Sequence, residues 1–261
     1  AVRTAGRRGE SVTGGLLVIG AHPDDEVLLA GGTLAASAAA GLRTGVLCLT
    51  CGEKGPIADP ALAARQTLAE VRLEELRASC RELGVSFSAC WRCSDGSLRW
   101  SNRSPIVRQL AALLEARRPE AVITFGADGL YHHPDHIATH ELTLAAVERL
   151  AYPPALYRSV WPRGLVSELA RTLRQRGFPD DMWELEPDAF GTDDLTDSFA
   201  IDVRTFADLK VLALRAHRTQ VPDSHAFASL DPELAKRFLG TEWFASVNGA
   251  SAWLEEALAG G

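Results

Sequence analysis

Lysine is nearly absent from this 261-residue chain: there are three, so almost all of the 27 basic residues are arginine, set against 34 acidic ones and a formal net charge of -7. The arginines are scattered rather than clustered. A binder of phosphate backbones needs clustered basic side chains, so this balance argues against nucleic acid and leaves an uncharged or cationic small substrate easier to accommodate. No apolar run reaches the roughly 18–20 residues of a membrane span. Arg3, Arg7 and Arg8 do precede an apolar stretch, Leu16 to Ala21, but it is shorter than the roughly 7–15 residues of a signal-peptide core and ends in acids. The expectation is a cytoplasmic protein with a loose leader over residues 1–13. There are only five cysteines, an odd number, which rules out a fully paired disulfide framework and suits a reducing compartment. Two Cys-x-x-Cys spacings, Cys48/Cys51 and Cys90/Cys93, could in principle hold zinc. However, Gly45 to Thr50 reads as a buried strand, where residues three apart face opposite sides, so unconnected core thiols are expected. Neither a Gly-x-Gly-x-x-Gly nor a Walker loop follows the first strand, and Pro and acids there would repel a pyrophosphate.

What the chain does contain is 46% hydrophobic residues, ample for a buried core. Short apolar runs alternate with helical patterns. Strands are expected at Leu16–Ala21, Val46–Thr50, Val85–Trp91 and Ala121–Phe125. Helices are expected at about Val27 to Ala40, Pro60 to Leu83, Ser104–Arg117 and Asp135 to Leu150, with Gly41 and Gly84 as stops. This alternation predicts βαβ units with right-handed crossovers: an α/β, Rossmann-like, mostly parallel sheet with helices on both faces. After Tyr152 the pattern loosens. Ala155–Trp161 and Phe199–Val203 read as strands, Leu165–Arg176 and Thr205–Arg218 as helices, with Pro/Asp/Gly-rich material at 177–198. With no repeat to mark a separate module, residues 14–261 are expected to form one domain whose C-terminal half, about 152–261, walls the active site.

Ligands of open parallel sheets bind beyond the carboxyl ends of the strands, and two loops at such ends are dense in metal-ligand chemistry. After the first strand comes Ala21-His22-Pro23-Asp24-Asp25-Glu26. His22 and Asp25 supply an imidazole and a carboxylate three residues apart, Pro23 fixes the turn, and Asp24 is left beside them to act on water. The competing reading, in which these acids only complement the positive end of the next helix, leaves His22 unexplained. After the strand at Ala121–Phe125 comes Asp128-Gly129-Leu130-Tyr131-His132-His133-Pro134-Asp135-His136. One division of roles has His136 completing a site of two His and one Asp. His133 is then an acid or electrostatic stabiliser and Asp135 orients an imidazole from behind; exposed histidines at a helix start are the alternative. Three protein ligands are the usual count for a catalytic zinc with an open position.

Both loops resemble the signature motifs of the PIG-L, or LmbE-like, family of zinc-dependent N-acetylglucosaminyl deacetylases, which includes glycosylphosphatidylinositol- and mycothiol-pathway enzymes. The likeness runs from about Leu16 to Gln220. It implies His22, Asp25 and His136 as zinc ligands, Asp24 as general base, and His133 as the acid or oxyanion-stabilising group. Arg72 and Glu75 resemble the family's Arg-x-x-Glu-Leu helix, whose arginine is associated with sugar binding, though Arg72 could equally pair with a Glu on its own helix. Asp95 resembles the family's substrate-hydroxyl acceptor, or forms an Asp-Gly turn. Tyr131, two residues before His133, resembles the position where the mycothiol-type enzymes of the family place a tyrosine that approaches the scissile carbonyl. His217 and Gln220 resemble a late His-x-x-Gln segment, read as either substrate wall or buried polar packing. The implied partner is a small N-acetylated molecule, hydrolysed to acetate and a free amine, and no oligomeric state is assigned. A thiol-conjugate amidase, a natural-product tailoring deacetylase and a non-catalytic metal binder are the alternatives, the last opposed by intact Asp24 and His133. Carboxylate and imidazole ligands also accept Fe(II), Co(II) or Mn(II).

Overall fold

The computed structural model describes residues 15–178, 185–249 and 253–259; the leader expected at 1–13 lies outside them. Strand β1 (Leu16–Gly20) is buried at every position, as befits a central parallel strand covered on both faces. It pairs in parallel with β2 (Thr44–Thr50) on one side and β4 (Ala121–Thr124) on the other. Outside these, β3 (Phe87–Cys93) adds in parallel to β2, and β5 (Ala155–Val160) in parallel to β4. The last strand, β7 (Thr241–Ser246), runs antiparallel between β5 and β6 (Ser198–Asp202), giving the order β3-β2-β1-β4-β5-β7-β6.

Helices α1 (Asp25–Ala39) and α2 (Leu68–Glu82) carry the chain outward from β1 to β3. The chain then returns past β1 through α3 (Arg103–Arg117), and after β4 continues through the short α4 (Gly129–His132) and α5 (Pro134–Val147). Reversing direction with right-handed crossovers puts α3 and α5 on the opposite face from α1 and α2. The packing agrees, since α3 lies on α5, while α7 (Ala207–Ala216) lies on α1 and α2. The boundary between β1 and β4 is therefore the switch point of the sheet, and their following loops are neighbours. Helices α6 (Leu165–Gln175), α8 (Pro232–Leu239) and α9 (Trp253–Ala259) complete the described structure.

Most expected elements are present, but the helix expected from Pro60 starts only at Leu68. Residues 60–67 form turns instead. Arg65 reaches back to the Glu53 and Gly55 carbonyls, and the Ala58 amide donates to Thr219 O at 2.9 Å, so tertiary tethers override a helical composition. Strand β7 and helices α8 and α9 were not foreseen. Of the cysteines, Cys48 and Cys90 are Cα partners across β2 and β3, and no cysteine belongs to a metal-type cluster among the described residues. Burial pushes the Cys48 thiol up to about 12, so it packs rather than reacts.

Helix α1 breaks at Ala30, and the amides freed at Gly32 and Thr33 each donate to the Glu242 carboxylate at 2.8 Å. Lys210, itself buried, meets the same carboxylate at 2.7 Å. A carboxylate from β7 thus caps a helix break and pairs a buried cation. Glu242→Ala leaves the two amides without an acceptor and Lys210 with only the Leu239 carbonyl, and is expected to lower the unfolding free energy by about 3–5 kcal/mol, read by urea titration.

Candidate active site

Gly20 ends β1 because a Cβ there would sit 2.9 Å from the Cβ of Asp25. This close approach lets one oxygen of Asp25, Oδ2, accept the main-chain amides of Ala21 at 2.8 Å and His22 at 2.7 Å. Its other oxygen, Oδ1, lies 3.2 Å from His136 Nε2, and His136 Nε2 lies 3.3 Å from His22 Nδ1. His22 Nδ1 lies 3.7 Å from the first oxygen, Oδ2. The switch point has brought the two loops together.

The outer nitrogens of both imidazoles are spoken for. His136 Nδ1 lies 3.1 Å from Gly129 O, and a carbonyl only accepts, so that nitrogen carries the hydrogen and Nε2 holds the lone pair. His22 Nε2 faces Asp95 Oδ1 at 3.1 Å and Asp135 Oδ2 at 3.5 Å, which leaves the lone pair on Nδ1. Phe125 stacks on His136 with centroids 4.0 Å apart and fixes its plane. With both rings neutral, two imidazole lone pairs and a carboxylate therefore face one another with no donor between them. Such an arrangement needs a cation. The two contacts of His136 Nε2, 3.2 and 3.3 Å, match the roughly 3.3 Å between donors of a tetrahedral ion held at about 2.0–2.1 Å, so the residues fit a divalent metal. The charge balance agrees. Burial alone would depress the His22 imidazole, but Asp135, Asp95 and Asp25 outweigh it and push it up to about 10, so without an ion a proton on Nδ1 supplies the positive charge that a metal would bring. Burial would raise Asp25, but His136 and His22 hold its carboxyl well below the usual range.

Around this centre stand the remaining residues singled out in the sequence. Asp24 adopts φ 114°, a left-handed conformation that costs a non-glycine residue about 1–3 kcal/mol and is often found at functional sites. Leu130 and His132 share positive φ in the opposite loop. Burial pushes the Asp24 carboxyl up to about 6, against the pull of Arg72. Arg72 makes no pair on its own helix: Nη2 meets Asp24 Oδ2 at 2.9 Å and Pro23 O at 2.6 Å, and Nη1 meets Gly52 O at 2.9 Å. Asp95 lies in the expected turn, with Gly96 at φ 67°, but its carboxylate faces His22 and the Lys54 amide. Asp135, fully buried, takes the Gly96 and Leu98 amides at 2.7 and 3.0 Å, and so braces that turn against His22.

His133 caps α5, its Nδ1 accepting the Asp135 amide at 3.2 Å, so Nε2 is the nitrogen that carries hydrogen. Burial and the neighbouring imidazoles push its pKa down to about 4. Tyr131 packs edge-on to His136, and burial raises its phenol well above the ordinary value, which keeps it protonated. A cavity of about 680 Å³ opens above these groups, bounded by Asp24, Asp95, Tyr131 and His133 and, from the C-terminal half, by Thr219 and Gln220. That is within the roughly 300–1,000 Å³ of small-molecule sites. Gln220 thus reaches the cavity wall, whereas His217 is buried behind it. Two partners had no signal in the sequence reading: Glu26, taken only as a helix-end acid, and Ser79.

A model of the PIG-L family, described as GlcNAc-PI de-N-acetylase, matches residues 17–147. The chain belongs to the PIG-L family. The match contains both loops with Arg72 and Asp95, and ends before the cavity wall contributed by Thr219 and Gln220. Among similar proteins is a 1D-myo-inositol 2-acetamido-2-deoxy-alpha-D-glucopyranoside deacetylase of Actinosynnema mirum, 34% identical, with 94% of this chain and 96% of that protein covered. One of the same name from Acidothermus cellulolyticus is 32% identical, with coverages of 90% and 89%. The N,N'-diacetylchitobiose deacetylase of Pyrococcus horikoshii, solved with an inhibitor, has a TM-score of 0.62 at 25% identity, with 90% of this chain and 84% of that one covered. As in any PIG-L domain, function must be argued from the site rather than from the sheet. No helix of the described residues is long and apolar enough to cross a membrane.

Proposed function

We propose that the protein is a metal-dependent deacetylase that hydrolyses the N-acetyl group of an N-acetylglucosamine-type sugar or glycoconjugate, releasing acetate and a free amine. The observation that carries this reading is the approach of His22 Nδ1 and Asp25 Oδ1 to His136 Nε2, at 3.3 and 3.2 Å, with the Asp24 carboxylate at the same cavity. The similar proteins, named for deacetylation of a 2-acetamido-2-deoxy-glucopyranoside of inositol and of diacetylchitobiose, support the sugar class. The ion is proposed to be zinc, from the ligand count of two His and one Asp, and the five free cysteines suit a cytoplasmic setting.

When bound, the ion supplies Lewis-acid polarisation of the amide carbonyl and of water. The chain's own residues do the rest. Asp24, directed by Arg72, takes the proton of the attacking water as its oxygen adds to the acetyl carbonyl carbon. The His133 Nε2 hydrogen and the Tyr131 hydroxyl are donors for the developing oxyanion, and a neutral imidazole at a helix N-terminus suits that task. The C–N bond then breaks as the proton held by Asp24 passes to the departing amine, which restores the carboxylate. Asp95 and Asp135 hold the His22 ring, while Asp95, Arg72 and Gln220 border the space for the sugar.

Purified protein assayed for bound metal and for acetate release from N-acetylglucosaminides tests the reading. Stoichiometric metal with chelator-sensitive acetate release is expected, and metal-free protein that releases no acetate overturns it. A smaller prediction concerns Gly52, at φ 64°, where a Cβ would lie 2.2 Å from Arg72 Nη1. Gly52→Ala should unseat Arg72 and lower kcat by roughly tenfold or more with metal content unchanged, in line with the sensitivity of catalysis to small misplacements.

A further inference from the structure

The left-handed conformation of Asp24 is held from two ends. Arg72 grips its carboxylate, and the Glu26 carboxylate accepts its main-chain amide through Oε2 at 2.9 Å. Glu26 is fully buried two residues further on, and its position is not left to its own helix. Its second oxygen, Oε1, accepts the Ser79 hydroxyl at 2.5 Å and meets His217 Nε2 at 2.7 Å. His217 is itself fully buried at the end of α7, and its Nδ1 has no partner among the described residues, so Glu26 is the ring's one polar side-chain attachment. The same face of α2 carries Arg72, Glu75 and Ser79, at i, i+3 and i+7. Glu75 fastens the segment after His217 by accepting the Thr219 amide at 2.8 Å and its hydroxyl at 2.6 Å. One helix face therefore reaches both ends of Asp24: directly through Arg72, and through Ser79 and the His217 segment by way of Glu26.

We propose that Glu26 is a positioning residue for Asp24, holding the amide that fixes its strained conformation, and that Ser79 and His217 exist at these positions to hold Glu26. The proposal rests on the reading of Asp24 as the proton acceptor. Glu26 touches no substrate; it acts through the backbone of its neighbour. A carbonyl oxygen at this site suffices to accept the Asp24 amide, so glutamine can replace glutamate where a hydrocarbon cannot.

The test is a cycle of Glu26→Leu, Glu26→Gln and Asp24→Asn, singly and combined, reading kcat, KM, bound metal and melting temperature on the full chain. Glu26→Leu is expected to lower kcat about 100-fold with KM and metal little changed, and Glu26→Gln to recover all but a few-fold of that loss. In the Asp24→Asn background, Glu26→Leu should cost almost nothing more. Equal losses in both backgrounds, or wild-type kcat in Glu26→Leu, overturn the proposal. If Glu26→Leu does not fold, His217→Phe and Ser79→Ala replace it, with intermediate losses expected that again vanish in the Asp24→Asn background. A crystal structure of the Glu26→Leu or His217→Phe variant reads the backbone directly: Asp24 should leave the left-handed region, and an unchanged Asp24 contradicts the proposal. That arm needs no turnover. Wild-type protein that releases no acetate would thus fail the functional reading while the positioning of Asp24 is still decided.

Discussion

Asp24→Asn is expected to reduce kcat by about 10³-fold while leaving the metal in place, since positioned general bases typically contribute 10²- to 10⁴-fold. The substitution is clean for structural reasons. Asparagine, like aspartate, tolerates positive φ better than other non-glycine residues, and its side-chain carbonyl can still accept from Arg72. What it cannot do is take a proton. Metal analysis and acetate-release kinetics on the same preparation check both halves, and a marked loss of metal would move Asp24 from the role of base to that of ligand.

His136→Ala is expected to lose the metal and the activity together. His136 contributes one of three donors, and its ring is fixed in place by stacking on Phe125 and by the contact with Gly129 O. Alanine would also leave the lone pair of His22 and the carboxylate of Asp25 facing each other without the third donor. Elemental analysis should find little bound metal, and added zinc should not restore turnover at concentrations that saturate the wild type. Metal loss equal in Asp24→Asn and His136→Ala would sink the division of labour between base and ligand.

Much of this was legible in the chain. Period and punctuation located β1 to β5 to within a few residues, because buried parallel strands are short apolar runs and their helices are amphipathic. The chemistry of the site was legible for a different reason: His22, Asp24, Asp25, His133 and His136 lie in two loops, each at the carboxyl end of a strand, and a histidine-rich turn has few other uses. Strand β7 was not legible. Its pairing is antiparallel to strands on both sides, and nothing local to Thr241–Ser246 announces which edge it will fill. The first turns of the helix expected from Pro60 failed because Arg65 and Ala58 are tied to distant carbonyls.

Arg72 shows the limit within the site itself. Its sequence position left sugar binding and an intrahelical pair equally open; in the fold its guanidinium is directed at Asp24 and two carbonyls. Asp95 likewise forms the turn its sequence suggests, yet its carboxylate lies against His22. Glu26 and His217 are 191 positions apart and gave no joint signal, although they share one hydrogen bond at the heart of the site.

By itself, then, the sequence determined the fold class, the two loops that matter and the residue types able to hold a metal, since these follow from local periodicity and side-chain chemistry. Only the tertiary structure decided that the loops meet, which nitrogen of each imidazole is free, and how Asp24 is held. Those depend on the order of β1 and β4 in the sheet and on hydrogen bonds between residues far apart in the chain, which no local pattern encodes.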